Sequence, residues 1–150
     1  MPQSLARLHV HFVFSTKERT PWITDAVRES LHSYIATVLA DHKCHAVLIN
    51  SIEDHVHVLF ELGRTVALSK AVEVVKASSS RWINAQGPQF AAFAWQAGYG
   101  AFAVSESNVL AVRDYVADQR KHHENRSFQD EYRTFLERHG IAFDERFVWD

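Results

Sequence analysis

The sequence has 150 residues, of which 47% are hydrophobic and 23% are charged, proportions typical of one globular domain with a buried core. No apolar run approaches the ~20 residues that cross a bilayer, so we expect no membrane segment. The single cysteine, Cys44, excludes an internal disulfide framework and predicts a cytoplasmic protein. The net charge of −2 lacks the overall basic balance of many nucleic-acid-binding proteins.

Charge is distributed unevenly along the chain. Residues 128–150 hold six acidic and three basic side chains, whereas residues 1–127 carry a net charge of +1. Glycine and proline are few, and no repeat or linker interrupts the sequence. We therefore predict one domain over residues 1–150, with a core of residues 1–127 and an acidic C-terminal helix and tail over residues 128–150.

The first half of the chain predicts a strand, a helix and a hairpin. Residues 5–14 alternate apolar and polar side chains, which indicates a half-buried strand. Apolar residues at helical spacing predict an amphipathic helix over residues 25–41. Residues 45–52 and 55–62 form two strand-like runs, and the short polar connection between them favours a hairpin.

The second half predicts helix, strand and helix again. A second amphipathic helix covers residues 68–82 and ends before Gly87. The aromatic residues 90–104 predict a strand with a bend, and residues 108–122 predict a third helix. A short acidic helix near residues 129–138 precedes the tail.

The predicted order is therefore β-α-β-β-α-β-α plus a tail. Its first six elements match the ferredoxin-like (split βαβ) arrangement of the α+β class, an antiparallel sheet with two helices on one face. We expect the other face to be left for a partner, a ligand or a second subunit. This fold serves many functions, so the site residues must decide between them.

Two His-x-His pairs, His9/His11 and His55/His57, each place two imidazoles on one face of a strand. Such a pair can converge on a metal ion, but paired histidines also simply line half-buried sheets. The second pair stands in the string His55-Val56-His57-Val58 directly after the polar turn. This histidine–hydrophobic–histidine pattern resembles the HUH motif of metal-dependent nucleases that cut single-stranded DNA.

Tyr115 and Gln119 are spaced i and i+4 on the predicted third helix, so they lie about 40° apart around it. Both flank an apolar stripe that would set the helix against the sheet. In an unknown protein, such a tyrosine is more often a packing residue, and such a glutamine a solvated one.

Taken in order along the chain, these motifs resemble the single-tyrosine HUH transposases of small insertion sequences, the IS200-like family, whose relatives include the REP-associated tyrosine transposases. The likeness covers nearly the whole length. Its motifs are residues 11–19 (HFVFSTKER), 54–59 (DHVHVL), 76–80 (KASSS), 95–99 (WQAGY), and Tyr115 with Gln119.

The resemblance implies that His55 and His57 bind a divalent metal, Mg²⁺ or Mn²⁺, with Gln119 as a third protein ligand. Tyr115 is then the nucleophile that forms a 5′-phosphotyrosine. The implied substrate is single-stranded DNA with hairpin-bearing insertion-sequence ends. The resemblance also implies a homodimer, in which Tyr115 could serve its own subunit or the other one.

Further residues are candidates for contact with DNA or with the site. His11 could lie near the metal or the DNA, although a histidine in this pattern more often simply lines the face of the sheet. Because the total charge is near neutral, DNA binding would require a local basic patch. The candidate phosphate contacts are Lys17, Arg19, Lys70, Lys76, Arg81, Arg113, Arg120 and Lys121.

Two alternatives remain at this point. A domesticated descendant of the same fold could bind single-stranded nucleic acid without cleaving it, although the complete set of His55, His57, Tyr115 and Gln119 argues against this. A small-molecule metalloenzyme could use the histidine pair with Tyr115 as a structural residue, and would require a closed apolar pocket.

Overall fold

The computed structural model describes residues 2–150, and its strands form one antiparallel sheet in the order β2-β3-β1-β4. This order, with one helix between β1 and β2 and another between β3 and β4, is the predicted split βαβ arrangement. The strands are β1 (Leu8–Ser15), β2 (His45–Ser51), β3 (His55–Leu62) and β4 (Gly100–Val104).

Two long helices, α1 (Asp25–Asp41) and α2 (Leu68–Asn84), cover one face of the sheet, and both predictions are confirmed. Apolar side chains on this face, including Phe12, Phe14 and Val58, form the main core with the buried sides of the helices. The alternation of side chains along a strand sends the residues between them to the opposite face.

The opposite face is covered by the chain itself rather than left open. It carries α3 (Val109–Ala117), α4 (Gln119–His122) and α5 (Phe128–Arg138). The buried residues that form a second core on this face are Val13, Phe102, Phe128, Tyr132 and Leu136.

The predicted third helix, residues 108–122, is interrupted at Asp118. Asn50 on β2 donates from its Nδ2 to the carbonyl oxygens of Val116 (2.9 Å) and Ala117 (3.1 Å). The bonds satisfy backbone acceptors at the end of α3, where helical partners are missing. The interruption turns Gln119 into the first residue of a separate turn.

β4 is shorter than the predicted 90–104 strand, because residues 88–90 form a 3₁₀ turn and Trp95 makes only an isolated bridge to Thr16. The strand begins at Gly100, whose missing side chain admits Tyr132. A Cβ at this position would lie 2.6 Å from Tyr132 Cε2. The glycine therefore allows α5 to pack closely on β4.

Within residues 2–150, the structure contains no helix with the length and apolar character needed to cross a membrane.

Candidate active site

His55 and His57 stand on β3 and face the α3–α5 side of the sheet. The register pairs them with Ser15 and Val13 on the central strand β1. Both imidazoles are 0% exposed, because α3, α4 and α5 close over this face. The histidine pair therefore lies inside the protein, between the sheet and its C-terminal helices.

His55 is oriented by the acidic residue that precedes it. Its Nδ1 lies 2.7 Å from Asp54 Oδ1, which leaves Nε2 facing Gln119 Oε1 at 3.3 Å. Burial would lower the pKa of His55, but its hydrogen bonds to Asp54 and Glu131 raise it to about 9. An outer carboxylate on Nδ1 is the usual support of a histidine that binds metal through Nε2.

His57 is held by a third histidine, His11 on the neighbouring strand β1. His11 Nε2 lies 2.7 Å from His57 Nδ1, so His11 is in direct contact with the histidine pair. Burial, followed by the charge of His57, lowers the pKa of His11 to about 3. His11 is consequently neutral near pH 7. One of the two nitrogens, His11 Nε2 or His57 Nδ1, then donates a hydrogen bond to the other.

Tyr115 on α3 reaches the histidine pair of its own chain. Its ring centroid lies 6.1 Å from that of His57, and its other side stacks on His122. The half-buried ring borders a cavity of about 240 Å³ next to His11. Its hydroxyl donates to Glu131, and burial together with that carboxylate raises the pKa of Tyr115.

Gln119 is fully buried, and the break at Asp118 places it beside His55. Its Oε1 faces His55, while its Nε2 donates to the carbonyl oxygen of Tyr115 at 3.3 Å. That bond leaves the amide oxygen directed at the imidazole. The structure thus brings the histidine pair, Tyr115 and Gln119 together in one chain.

Two site residues were not predicted, Glu131 on α5 and His123 just beyond α4. Glu131 Oε1 lies 2.8 Å from His57 Nε2 and 3.4 Å from His55 Nε2, and His123 Nε2 lies 3.2 Å from its other oxygen. Burial would raise the pKa of Glu131, but His57, His123 and His55 together lower it below its usual range.

A sequence signal for Glu131 exists. Phe128, Tyr132 and Phe135 recur at helical spacing, and Glu131 falls on the same side of the helix. A carboxylate inside an apolar stripe has to be paired when the stripe is buried. The acidic composition of residues 128–150 instead indicated a solvent-exposed helix, so Glu131 was not predicted to be buried.

The donor atoms of this cluster could together hold a metal ion. His123 Nδ1 donates to the Arg126 carbonyl oxygen at 2.6 Å, which directs its buried Nε2 at Glu131 Oε2, 3.2 Å away. A buried carboxylate surrounded by three imidazole nitrogens is a donor set that suits a divalent cation. Adjacent ligands of an octahedral divalent ion are about 3 Å apart, which matches the separations of Glu131 from His57 and His55.

The candidate DNA contacts are divided between the two faces of the sheet. Lys70, Lys76 and Arg81 lie on α2, across the sheet from the histidine pair. Lys76 is engaged within the protein, because its Nζ donates to the carbonyl oxygens of Gln96 (2.6 Å) and Gly98 (2.7 Å). Burial lowers the pKa of Lys76 to about 8.

On the site face, Arg120 on α4 forms an ion pair with Glu53 at 2.9 Å. The other four candidates lie at the surface, exposed or half-buried: Lys17 and Arg19 in the 3₁₀ turn after β1, Arg113 on α3, and Lys121 on α4.

Comparisons with known proteins point to transposases. A family model described as "Transposase IS200 like" matches residues 4–119. A crystal structure of a candidate transposase from Deinococcus radiodurans R1 has a TM-score of 0.62 at 20% identity, covering 79% of this chain and 98% of the other. A REP-associated tyrosine transposase bound to a REP hairpin has a TM-score of 0.62 at 13% identity, covering 82% and 73%. At these identities the two structures show a shared fold. No curated protein matches the sequence.

Proposed function

This chain belongs to the IS200-like transposase family, and on that premise we propose that it cleaves and rejoins single-stranded DNA at insertion-sequence ends through a 5′-phosphotyrosine. One observation carries the proposal. The phenol of Tyr115 and the imidazoles of His55 and His57 meet in one buried cluster of the same chain, with the Tyr115 and His57 rings 6.1 Å apart. A nucleophile and a metal-binding pair must be close to act on one phosphate.

His55, His57 and Gln119 would hold the divalent metal, Mg²⁺ or Mn²⁺. Two imidazole nitrogens and an amide oxygen form an incomplete set that leaves positions for phosphate and water. When bound, the ion supplies Lewis-acid polarisation of the scissile phosphate and a positive charge beside the phosphorus. Asp54 and His11 fix the orientations of the two imidazoles.

In the proposed reaction, Tyr115 Oη attacks the phosphorus. An Oη–P bond forms as the P–O3′ bond breaks, the phenol loses its proton, and the departing O3′ gains one as a free hydroxyl. A 3′ hydroxyl from another strand reverses the same exchange. Since one phosphoester replaces another in each step, cleavage and rejoining need no ATP.

The test is a covalent trapping assay. The protein is mixed with Mg²⁺ or Mn²⁺ and labelled single-stranded DNA carrying hairpin ends of the family type, and a denaturation-resistant protein–DNA adduct is measured. We expect Tyr115→Phe to lose the adduct completely while retaining DNA binding, because only the nucleophilic oxygen is removed. We expect His57→Ala to lose the adduct as well.

DNA binding without an adduct from the wild-type protein would contradict the proposal. It would instead support a non-cleaving single-stranded nucleic-acid-binding module. The assay uses a panel of hairpin sequences, because the contacts within the protein do not identify the target sequence.

For the DNA, we propose hairpin-bearing single strands, in line with the REP hairpin bound by one structural relative. Arg113 and Lys121 are available for contacts with DNA phosphates, because they are exposed on the two helices that carry Tyr115 and Gln119. Lys17 and Arg19 remain further candidates beyond the end of β1. A homodimer and a cytoplasmic location stay predictions.

A further inference from the structure

We propose that Glu131 is a protein ligand of the metal in the DNA-free enzyme, supplied by α5. This inference rests on the metal site proposed above and adds to it a carboxylate from outside residues 4–119, the part of the chain that the family model matches. The same side chain accepts the hydroxyl hydrogen bond of Tyr115. Glu131 would therefore join the metal site to the nucleophile.

The packing of α5 fixes Glu131 in place. Phe128 and Tyr132, on either side of it, are buried in the second core with Val13 and Phe102. Ser127 caps the helix by accepting a hydrogen bond from the Asp130 backbone N–H at 3.1 Å. The carboxylate is consequently held on a rigid element, and it is 0% exposed.

Each oxygen of Glu131 faces donor atoms suited to a metal. Oε1 lies close to both His57 Nε2 and His55 Nε2, at 2.8 and 3.4 Å, and Oε2 faces His123 Nε2. One candidate ligand atom from each of these four residues lies within 4.8 Å of the others. An ion among the imidazoles would thus meet Glu131 without a change in the position of α5.

Charge supports the same assignment. The three ligands of the proposed site, His55, His57 and Gln119, are neutral when they bind metal, so these ligands cancel none of the charge of a dication. Among residues 2–150, Glu131 is the one acidic residue that is buried. Burying a charge is costly unless it is paired, and this carboxylate would cancel half of the charge of the ion.

A different role for Glu131 makes an opposite prediction. If the carboxylate only neutralises the histidines, it competes with the metal for the same nitrogens. Removing it would then leave Mn²⁺ affinity unchanged or increased. If Glu131 is a ligand, removing its charge weakens Mn²⁺ binding.

The experiment measures Mn²⁺ dissociation constants of the DNA-free protein by titration calorimetry. We expect Glu131→Gln to bind Mn²⁺ at least about tenfold more weakly than wild type. Glu131→Asp keeps the charge on a shorter side chain, so its Mn²⁺ affinity should lie between those of Glu131→Gln and wild type. Glu137→Gln is the matched control, because Glu137 is an exposed acid on the same helix. It should bind like wild type. Circular dichroism of each metal-free variant verifies the fold.

Affinity of Glu131→Gln within twofold of wild type, or tighter, would overturn the inference. His57→Ala separates the two proposals. If His57→Ala also binds Mn²⁺ as tightly as wild type, the proposed metal site itself is wrong. If His57→Ala loses Mn²⁺ affinity and Glu131→Gln does not, the metal site stands and only the role of Glu131 is wrong. Wild-type protein labelled with ¹³C at glutamate carboxyls needs no substitution. Pulsed EPR of bound Mn²⁺ should show a strong ¹³C coupling, and its absence would also overturn the inference.

Discussion

At the scale of single residues, each motif histidine depends on a neighbour for its orientation. Asp54 holds Nδ1 of His55, and His11 holds Nδ1 of His57, so both Nε2 atoms are turned toward Gln119 and Glu131. In metal-binding proteins, partners of this type fix both the tautomer and the angle of a histidine ring that acts as a ligand.

Asp54→Asn should therefore weaken Mn²⁺ binding about tenfold to a hundredfold, since the charged acceptor on His55 Nδ1 is lost. Titration calorimetry measures the dissociation constant. Glu53→Gln is the control, because the adjacent Glu53 side chain bonds Arg120 and Arg28 instead of a histidine. Equal affinities of the two variants would argue against a supporting role for Asp54.

The sequence predicted some of these residues and not others for a physical reason. His55, His57 and Tyr115 belong to short motifs whose spacing is visible along the chain. The contact between His11 and His57 depends on the pairing of β1 with β3, which brings together residues 46 positions apart. The position of Glu131 depends on how α5 packs against the sheet, and the local composition of residues 128–150 does not predict that packing.

At the scale of elements, both ends of α1 were predicted correctly, because local residues mark its apolar stripe and its ends. The predicted β4 was too long. Aromatic residues between positions 90 and 99 suggested a strand, but they reach the core from turns. The break at Asp118 was missed because it is stabilised by Asn50, which comes from a distant strand.

The close packing of α5 on β4 predicts the effect of a single methyl group. Gly100→Ala would place a Cβ 2.6 Å from Tyr132 Cε2 and 3.1 Å from Phe102 Cζ, so one ring or the helix must shift. We expect the free energy of unfolding to fall by about 1–3 kcal/mol in urea denaturation. Ala103→Ser, an exposed change on the same strand, should leave it nearly unchanged. A Gly100→Ala protein as stable as wild type would show that α5 does not pack here.

At the scale of the whole molecule, one chain contains both Tyr115 and the histidine pair. A mixture of His57→Ala and Tyr115→Phe proteins should therefore form no covalent DNA adduct, because each chain lacks one half of its own site. Gel electrophoresis after denaturation measures the adduct. Adduct on the His57→Ala chain would reveal that subunits exchange the tyrosine helix in a dimer.

The stability of the molecule should depend on pH through His32, which joins α1 to β2 by a 2.7 Å hydrogen bond to Ser51. Burial, and then the charge of Arg28, lowers the pKa of His32 to about 4. Arg28 in turn pairs with Asp25 and Glu53. Between pH 6.5 and 4 the unfolded chain binds more protons than the folded one, so the free energy of unfolding falls as the pH falls.

This contribution amounts to at most about 3 kcal/mol, from the shift of 6.5 to about 4. In His32→Gln, urea denaturation at pH 7, 5.5 and 4.5 should show a smaller loss of stability over this range than in wild type. His45→Gln, at an exposed histidine of β2, is the control and should follow wild type. Parallel curves for His32→Gln and wild type would contradict the prediction.

The complete burial of His55, His57 and Glu131 has a kinetic consequence. With α5 seated on the sheet these three side chains are 0% exposed, so under the proposed function we expect α5 to move away from Val13 and Phe102 before a phosphodiester reaches the histidines. We therefore expect the opening of this helix, and not bond breaking, to limit the rate of the proposed reaction. Solvent viscosity and helix-loosening substitutions would change the rate of such an enzyme more than the leaving group would.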